Sequence, residues 1–164
     1  MEIAEQVQNV GGQALGIVEL VIVAARSHPL AAKATVSIDD LAEQRWALSQ
    51  SGSNLRSHTD RLLRRLGIAA NIRPTELPPE MIMPFLKMGD HLSVLPDKVM
   101  LGGAHVADPT AYSTSNEAHD LAILRTGALD AGFTLAALWQ GPLPPSREAA
   151  LFIEMAQAEL ARIS

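Results

Sequence analysis

The chain has 164 residues, 48% hydrophobic and 19% charged, and a net charge of -5. That is a folded composition sized for one domain or two small lobes. The acidic balance excludes a general nucleic-acid surface, the 4% of aromatic residues offers no platform for base stacking, and the absence of cysteine rules out disulfides, thiol catalysis and zinc–thiolate sites. The longest apolar run, Ala14 to Ala25, is interrupted by Glu19 and is too short for a membrane span. Glu2 and Glu5 precede it, where a signal peptide carries basic residues. The expectation is a soluble, cytoplasmic protein with no membrane partner.

Ile3, Val7 and Val10 suit one face of a short helix that Gly11-Gly12 would end. Ile17 to Ala25 reads as a strand. Its β-branched run of Val18, Val21, Ile22 and Val23 suits a strand covered on both faces in a parallel sheet. His28-Pro29 ends it. Ser37 as cap and Asp40 at the third helical position have the form of a capping box, opening a short helix ahead of a strand at Trp46 to Leu48. The polar loop Ser49 to Asn54 leads into a helix from Leu55 to Leu66, with Leu55, Leu62, Leu63 and Leu66 on one stripe. Arg61, Arg64 and Arg65 suit the negative end of its dipole, and Gly67 its C-terminal cap.

Asn71 to Glu76 reads as a strand, and Pro78-Pro79 opens a helix with Met81, Ile82, Phe85 and Leu86 on its apolar face. Pro84 should kink that helix and Gly89 end it. His91 to Leu95 is a strand stopped by Pro96, and Gly102 to His119 reads as a long loop. Leu121 to Leu124 and Phe133 to Leu138 read as strands, with turns at Gly141-Pro142 and Pro144-Pro145. A final helix starts near Ser146, with Ala149, Phe152, Ile153, Ala156, Leu160 and Ile163 as its buried stripe. Strands alternating with helices argue an α/β layer on a mostly parallel sheet.

Motifs for catalysis are missing. No Gly-Lys pair for a phosphate loop occurs, no Gly-x-Gly-x-x-Gly and no Gly-x-Ser-x-Gly. The five histidines, His28, His58, His91, His105 and His119, have no helical ligand spacing, so no metal is expected. Asp39-Asp40 points in two directions on a helix, and capping explains the pair better than shared-proton chemistry. Arg61, Arg64 and Arg65 could meet a phosphate, but a solvated face is the simpler reading in an acidic chain. The loop from Ser49 to Asn54 is the best small-ligand candidate. It lies between a strand and a helix N-terminus, where free backbone N–H groups with Ser51, Ser53 and Asn54 suit a carboxylate or another anion. An ordinary capped turn would use the same residues.

The order of these features resembles the second lobe of the effector-binding (substrate-binding) domain of LysR-type transcriptional regulators. Leu20-Val21-Ile22-Val23 followed by His28-Pro29-Leu30-Ala31 resembles the start of that lobe. Ser37 to Ala42, the strand and serine loop from Trp46 to Ser53, the Leu-Gly end of the helix at Leu66-Gly67 and Gly89 to Pro96 resemble its later segments. The resemblance runs from about Gly16 to Ser164. One departure is that the family's Gly-x-Gly turn reads Gly89-Asp90-His91 here.

The resemblance implies an α/β, type-2 periplasmic-binding-protein-like fold, incomplete, with most of the first lobe missing. Residues 1–16 stay poorly assigned, 17–125 would form the second lobe with its crossover strands, and 126–164 would return toward the first lobe. It implies a non-catalytic sensor of a small-molecule effector, needing no cofactor. Effector contacts would fall on Ser51, Ser53 and Asn54, the helix start at Leu77-Pro78 and the Gly89-Asp90 turn. It also implies a homo-oligomer that meets DNA only through an N-terminal winged helix-turn-helix absent from this chain. The alternative is a stand-alone solute-binding protein of similar fold.

Overall fold

The computed structural model describes residues 10–102, 120–127, 129–141 and 146–162. The helix expected around Ile3 and Val7 and nearly all of the loop expected over Gly102 to His119 lie outside these residues. The chain divides into two compact units: a larger one, Glu19–Gly132, and a smaller one, Met1–Val18 with Phe133–Ser164.

Strand β1, Val10–Ala25, contributes to both units. It starts well before Ile17, so Gly11-Gly12 sits inside a strand and ends no helix. A Cβ on Gly11 would collide with the Trp139 indole, so this crossing of backbone and ring needs glycine. In the larger unit, β2 (Arg45–Ser49), β3 (Thr75–Leu77), β4 (His91–Pro96) and β5 (Leu121–Ile123) join β1 in the order β3-β2-β4-β1-β5. Strand β2 runs parallel to β3 and β4, whereas β1 is antiparallel to β4 and β5. The sheet is therefore mixed, not mostly parallel. The β-branched run of β1 is buried as expected, but burial on both faces does not encode strand direction.

The capping box forms as read. The Ser37 hydroxyl accepts from the Asp40 N–H, and the Asp40 carboxylate accepts from the Ser37 N–H, opening helix α1 (Ile38–Ala42). Helix α2, Asn54–Arg65, is capped by Ser53, whose hydroxyl accepts from the Arg56 N–H at 3.1 Å. Gly67 follows it at φ +75°, where a side chain would be strained. Ala69–Asn71 is a 3-10 turn, so β3 begins later than the strand expected from Asn71. Helix α3, Pro79–Leu86, starts on its proline as expected and contains Pro84. Strand β4 ends at Pro96 as expected, and helix α4 (Asp97–Gly102), which was not expected, follows at once.

Strand register sorts the core. Val23, Ala47, Leu95 and Leu121 share one sheet face and pack against Ile82 and Leu86 of α3. The other face carries Leu20, Ile22, Trp46, Leu48, Leu92 and Val94, all buried, with α2 packed against β2. The Trp46 indole N–H also donates to the Leu41 carbonyl at 3.3 Å, tying α1 to that face. Beneath α3 the first face holds buried polar atoms with no hydrogen-bond partner among the described residues: Ser49 Oγ, Ser93 Oγ and His91 Nδ1.

In the smaller unit, β6 (Gly132–Gln140) pairs with β1, and helix α5 (Arg147–Arg162) buries Ile153. Leu160 of α5 lies over Gly16, and the Gln157 amide donates to the Ala14 carbonyl at 2.7 Å. Phe152, expected in the buried stripe, is 70% exposed. It lies one position, about 100°, from Ile153 and so falls on the outer face with Leu151 and Met155.

Candidate functional site

Parallel pairing of β2 with β3 sets Ser49 beside Leu77. The loop after β2 and the start of α3 after β3 therefore emerge at the same edge of the larger unit. Carboxyl ends of parallel strands are where such sheets place ligands, because the connecting loops diverge there. Ser51, Ser53, Asn54, Leu77 and Pro78 all belong to this edge. Gly89 and Asp90 do not. Strand β4 starts at His91 opposite Arg45, the other end of β2, about 13 Å away at four residue steps. Gly89, at φ +97°, sits instead beside Ser27. The structure thus brings together five of the seven expected residues and separates the glycine turn from them.

Two residues outside the expected set organise the edge. The Ser51 N–H donates to Glu76 Oε2 at 3.2 Å and its hydroxyl to Oε1 at 2.6 Å. Arg56 Nη1 donates to the same Oε1 at 2.8 Å and to the Ser49 carbonyl at 3.0 Å, while its Nε donates to Asp60 at 2.8 Å. The Arg56 side chain is only 13% exposed. Burial works against its charge, but Asp60 and Glu76 more than offset this and raise its pKa. The Ser51 hydroxyl, then Arg56, hold the Glu76 carboxyl down at about 2. Ser49 is itself 3% exposed, with its hydroxyl unpartnered, at the root of the loop.

Chemically, this edge presents a guanidinium, a serine hydroxyl and a loop N–H converging on one carboxylate. That donor set suits a carboxylate or comparable oxyanion. Glu76 was hidden from sequence reasoning because it meets Ser51 only through strand pairing. Arg56 carried a local signal, its i,i+4 spacing to Asp60. Among the described residues, no group of three or more histidine and carboxylate side chains is placed to hold a metal ion.

Comparison with known proteins agrees with this architecture. The regulatory domain of CcmR from Synechocystis PCC6803, in complex with 2-PG, superposes with a TM-score of 0.69 at 23% identity, covering 92% of this chain and 67% of that one. The effector-binding domain of QuiR in complex with shikimate gives 0.63 at 17%, covering 92% and 65%. Full-length CbnR complexed with its target DNA gives 0.63 at 15%, covering 92% and 49%. The chain thus spans about two thirds of the length of the two single-domain chains and about half of the full-length one. A search of curated protein sequences found no match. No helix among the described residues is long and apolar enough to cross a membrane. The model of the LysR substrate binding domain matches residues 4–161, and the chain belongs to that family.

Proposed function

We propose that this chain is the effector-sensing part of a bacterial LysR-type transcriptional regulator. It binds a small molecule without transforming it and acts by population shift. Ligand favours one arrangement of the protein over another by its difference in affinity for the two. DNA is met by another part of the regulator, in the cytoplasm, and copies of the chain associate. CcmR with 2-PG, QuiR with shikimate and CbnR with DNA support this reading by analogy.

The observation that carries it is the shared edge of β2 and β3. Ser51, Ser53, Asn54, Leu77 and Pro78 lie there around the Ser51–Glu76–Arg56 network. The effector is an organic acid. Its carboxylate takes the Ser51 and Arg56 donors that Glu76 now uses, and Glu76 is the group it displaces. Thermal-shift screening of small organic acids, shikimate included, tests this. A hit should weaken at least about tenfold on Ser51→Ala and strengthen on Glu76→Gln, since a lost charge-assisted bond is worth 1.5 kcal/mol or more. Asp90→Asn should leave it unchanged. A hit that depends on Asp90 and ignores Ser51 would refute the assignment.

A further inference from the structure

We propose an acid-sensitive latch just beyond β1, in which the neutral His28 imidazole pins the 3-10 turn Pro29–Ala32 and protonation of that imidazole releases it. The turn begins on Pro29, which has no N–H, so Leu30 carries the first N–H that needs an acceptor. That acceptor is His28 Nδ1, at 3.2 Å. Neighbouring N–H groups use backbone carbonyls instead: Ala31 donates to His28 at 2.9 Å and Lys33 to Leu30 at 3.2 Å. His28 and Leu30 are each only 5% exposed. The side chain of His28 is thus the link that seats a buried turn.

An imidazole nitrogen accepts a hydrogen bond only while it carries no proton. With Nδ1 accepting, neutral His28 holds its proton on Nε2, and acid adds the second proton at Nδ1. Two N–H groups then point at each other in a buried place, and Leu30 is left without an acceptor. Hydrogen-bond direction alone gives this outcome. Burial works the same way, lowering the pKa of His28 from its ordinary 6.5, while Asp90 pulls it back up. A histidine lowered on folding costs the fold nothing well above its ordinary value, and stability is lost as pH falls below 6.5.

Asp90, in the turn between α3 and β4, is the charge that acts on His28. The same turn meets the His28 segment through its backbone, where Gly89 sits beside Ser27. The other charges of this region are Arg26, Lys33, which holds Asp40 at 2.6 Å, and Lys87, 3.7 Å from Asp120. His91, next to Asp90, is a second histidine whose pKa is lowered by burial and by Arg45 and raised by Asp90. Its buried Nδ1 has no hydrogen-bond partner among the described residues, so acid takes no hydrogen bond from it there. His28 is therefore the group that lets go.

The test is amide hydrogen exchange of the full chain between about pH 7.5 and pH 5, corrected for the intrinsic pH dependence of exchange. Exchange at Leu30 should speed up about tenfold, the effect of leaving a buried donor without its acceptor. Leu48 and Leu92, in the core, should keep their protection. The His28 ring nitrogen signals should pass from the neutral to the charged pattern over the same interval. His28→Asn keeps an acceptor at this capping position but cannot titrate, and should hold Leu30 protected throughout. Asp90→Asn removes the charge that favours protonation and should move the change to lower pH, whereas His91→Gln should leave it in place. A His28 ring still neutral at pH 5, a charged ring with Leu30 exchange unchanged, a loss of protection shared equally by Leu48, or an acid response that persists in His28→Asn would overturn the proposal.

Discussion

Single residues act here through hydrogen bonds whose worth depends on burial. Ser53 satisfies an otherwise free N–H at the start of α2, so Ser53→Ala should cost about 1 kcal/mol, read from urea unfolding. Ser93 is the opposite case. Its hydroxyl is fully buried with no partner among the described residues, and a buried unsatisfied group is a liability. Ser93→Ala should therefore be neutral or stabilising, and a loss above about 1 kcal/mol would show that the hydroxyl has a partner. Glu76 and Asp40 are both held ionised down to about 2, Glu76 by Ser51 and Arg56, Asp40 by Lys33 and Ser37. Their ordinary values are 4.5 and 3.8, so their contribution is complete above that range and is lost as pH falls toward 2. Glu76→Gln should flatten this acid decline in urea midpoints measured from pH 6 to pH 2; an unchanged slope would mean the pairing with Ser51 and Arg56 does not persist in solution. How visible these residues were in the sequence follows from distance along the chain. Ser37 and Asp40 are three apart, so a short-range rule found that cap, whereas Ser53 was read only as a polar loop residue because the helix was expected to start at Leu55 and not at Asn54. Ser51 and Glu76 are 25 residues apart, and no local rule joins them.

At the scale of elements, hydrophobic pattern located the strands and helices but not their directions. The β1 run is buried on both faces, which parallel and antiparallel neighbours achieve equally well. Its antiparallel pairing with β4 and β5 depends on connections that the pattern does not contain. The same limit explains the Gly89-Asp90 turn. Its place in the sequence suggested the effector edge, yet β4 runs parallel to β2, and its start must lie at the opposite end from Ser49. Helix α4 is too short to show an apolar period in the sequence, although Asp97 suits a first helical turn; its carboxylate accepts from the Glu19 N–H at 3.1 Å. Helix α3 links the candidate site to the core: it begins beside Leu77-Pro78 and buries Ile82 and Leu86 against the sheet. Leu86→Ala should cost 2–5 kcal/mol in chemical denaturation, the range for a large apolar side chain removed from a packed core. A cost below about 1 kcal/mol would mean α3 is not firmly seated.

Over the whole molecule, the two units differ in how well they cover apolar surface. The larger unit closes its sheet on both faces, whereas the smaller one leaves Ile17, Leu151, Phe152 and Met155 more than half exposed. Exposed apolar side chains in this number favour association in water. Sedimentation of the chain should show mass increasing with concentration, and Phe152→Ser with Met155→Ser should shift it toward monomer; an unchanged distribution would place the contact elsewhere. Of the expected stripe, Ala149, Ile153, Ala156 and Leu160 are buried or half-buried and Ile163 lies outside the described residues; Phe152 alone is exposed, because the apolar residues of the helix cover too wide an arc to show where the buried face ends. The central claim is that the paired ends of β2 and β3 hold the effector. The most direct test is amide NMR mapping of an organic acid selected by thermal shift. The account predicts that the largest shifts fall on Ser51, Ser53, Asn54 and Leu77, with Glu76 released from Ser51. Shifts centred on Gly89 and Asp90, with Ser51 unmoved, would contradict it.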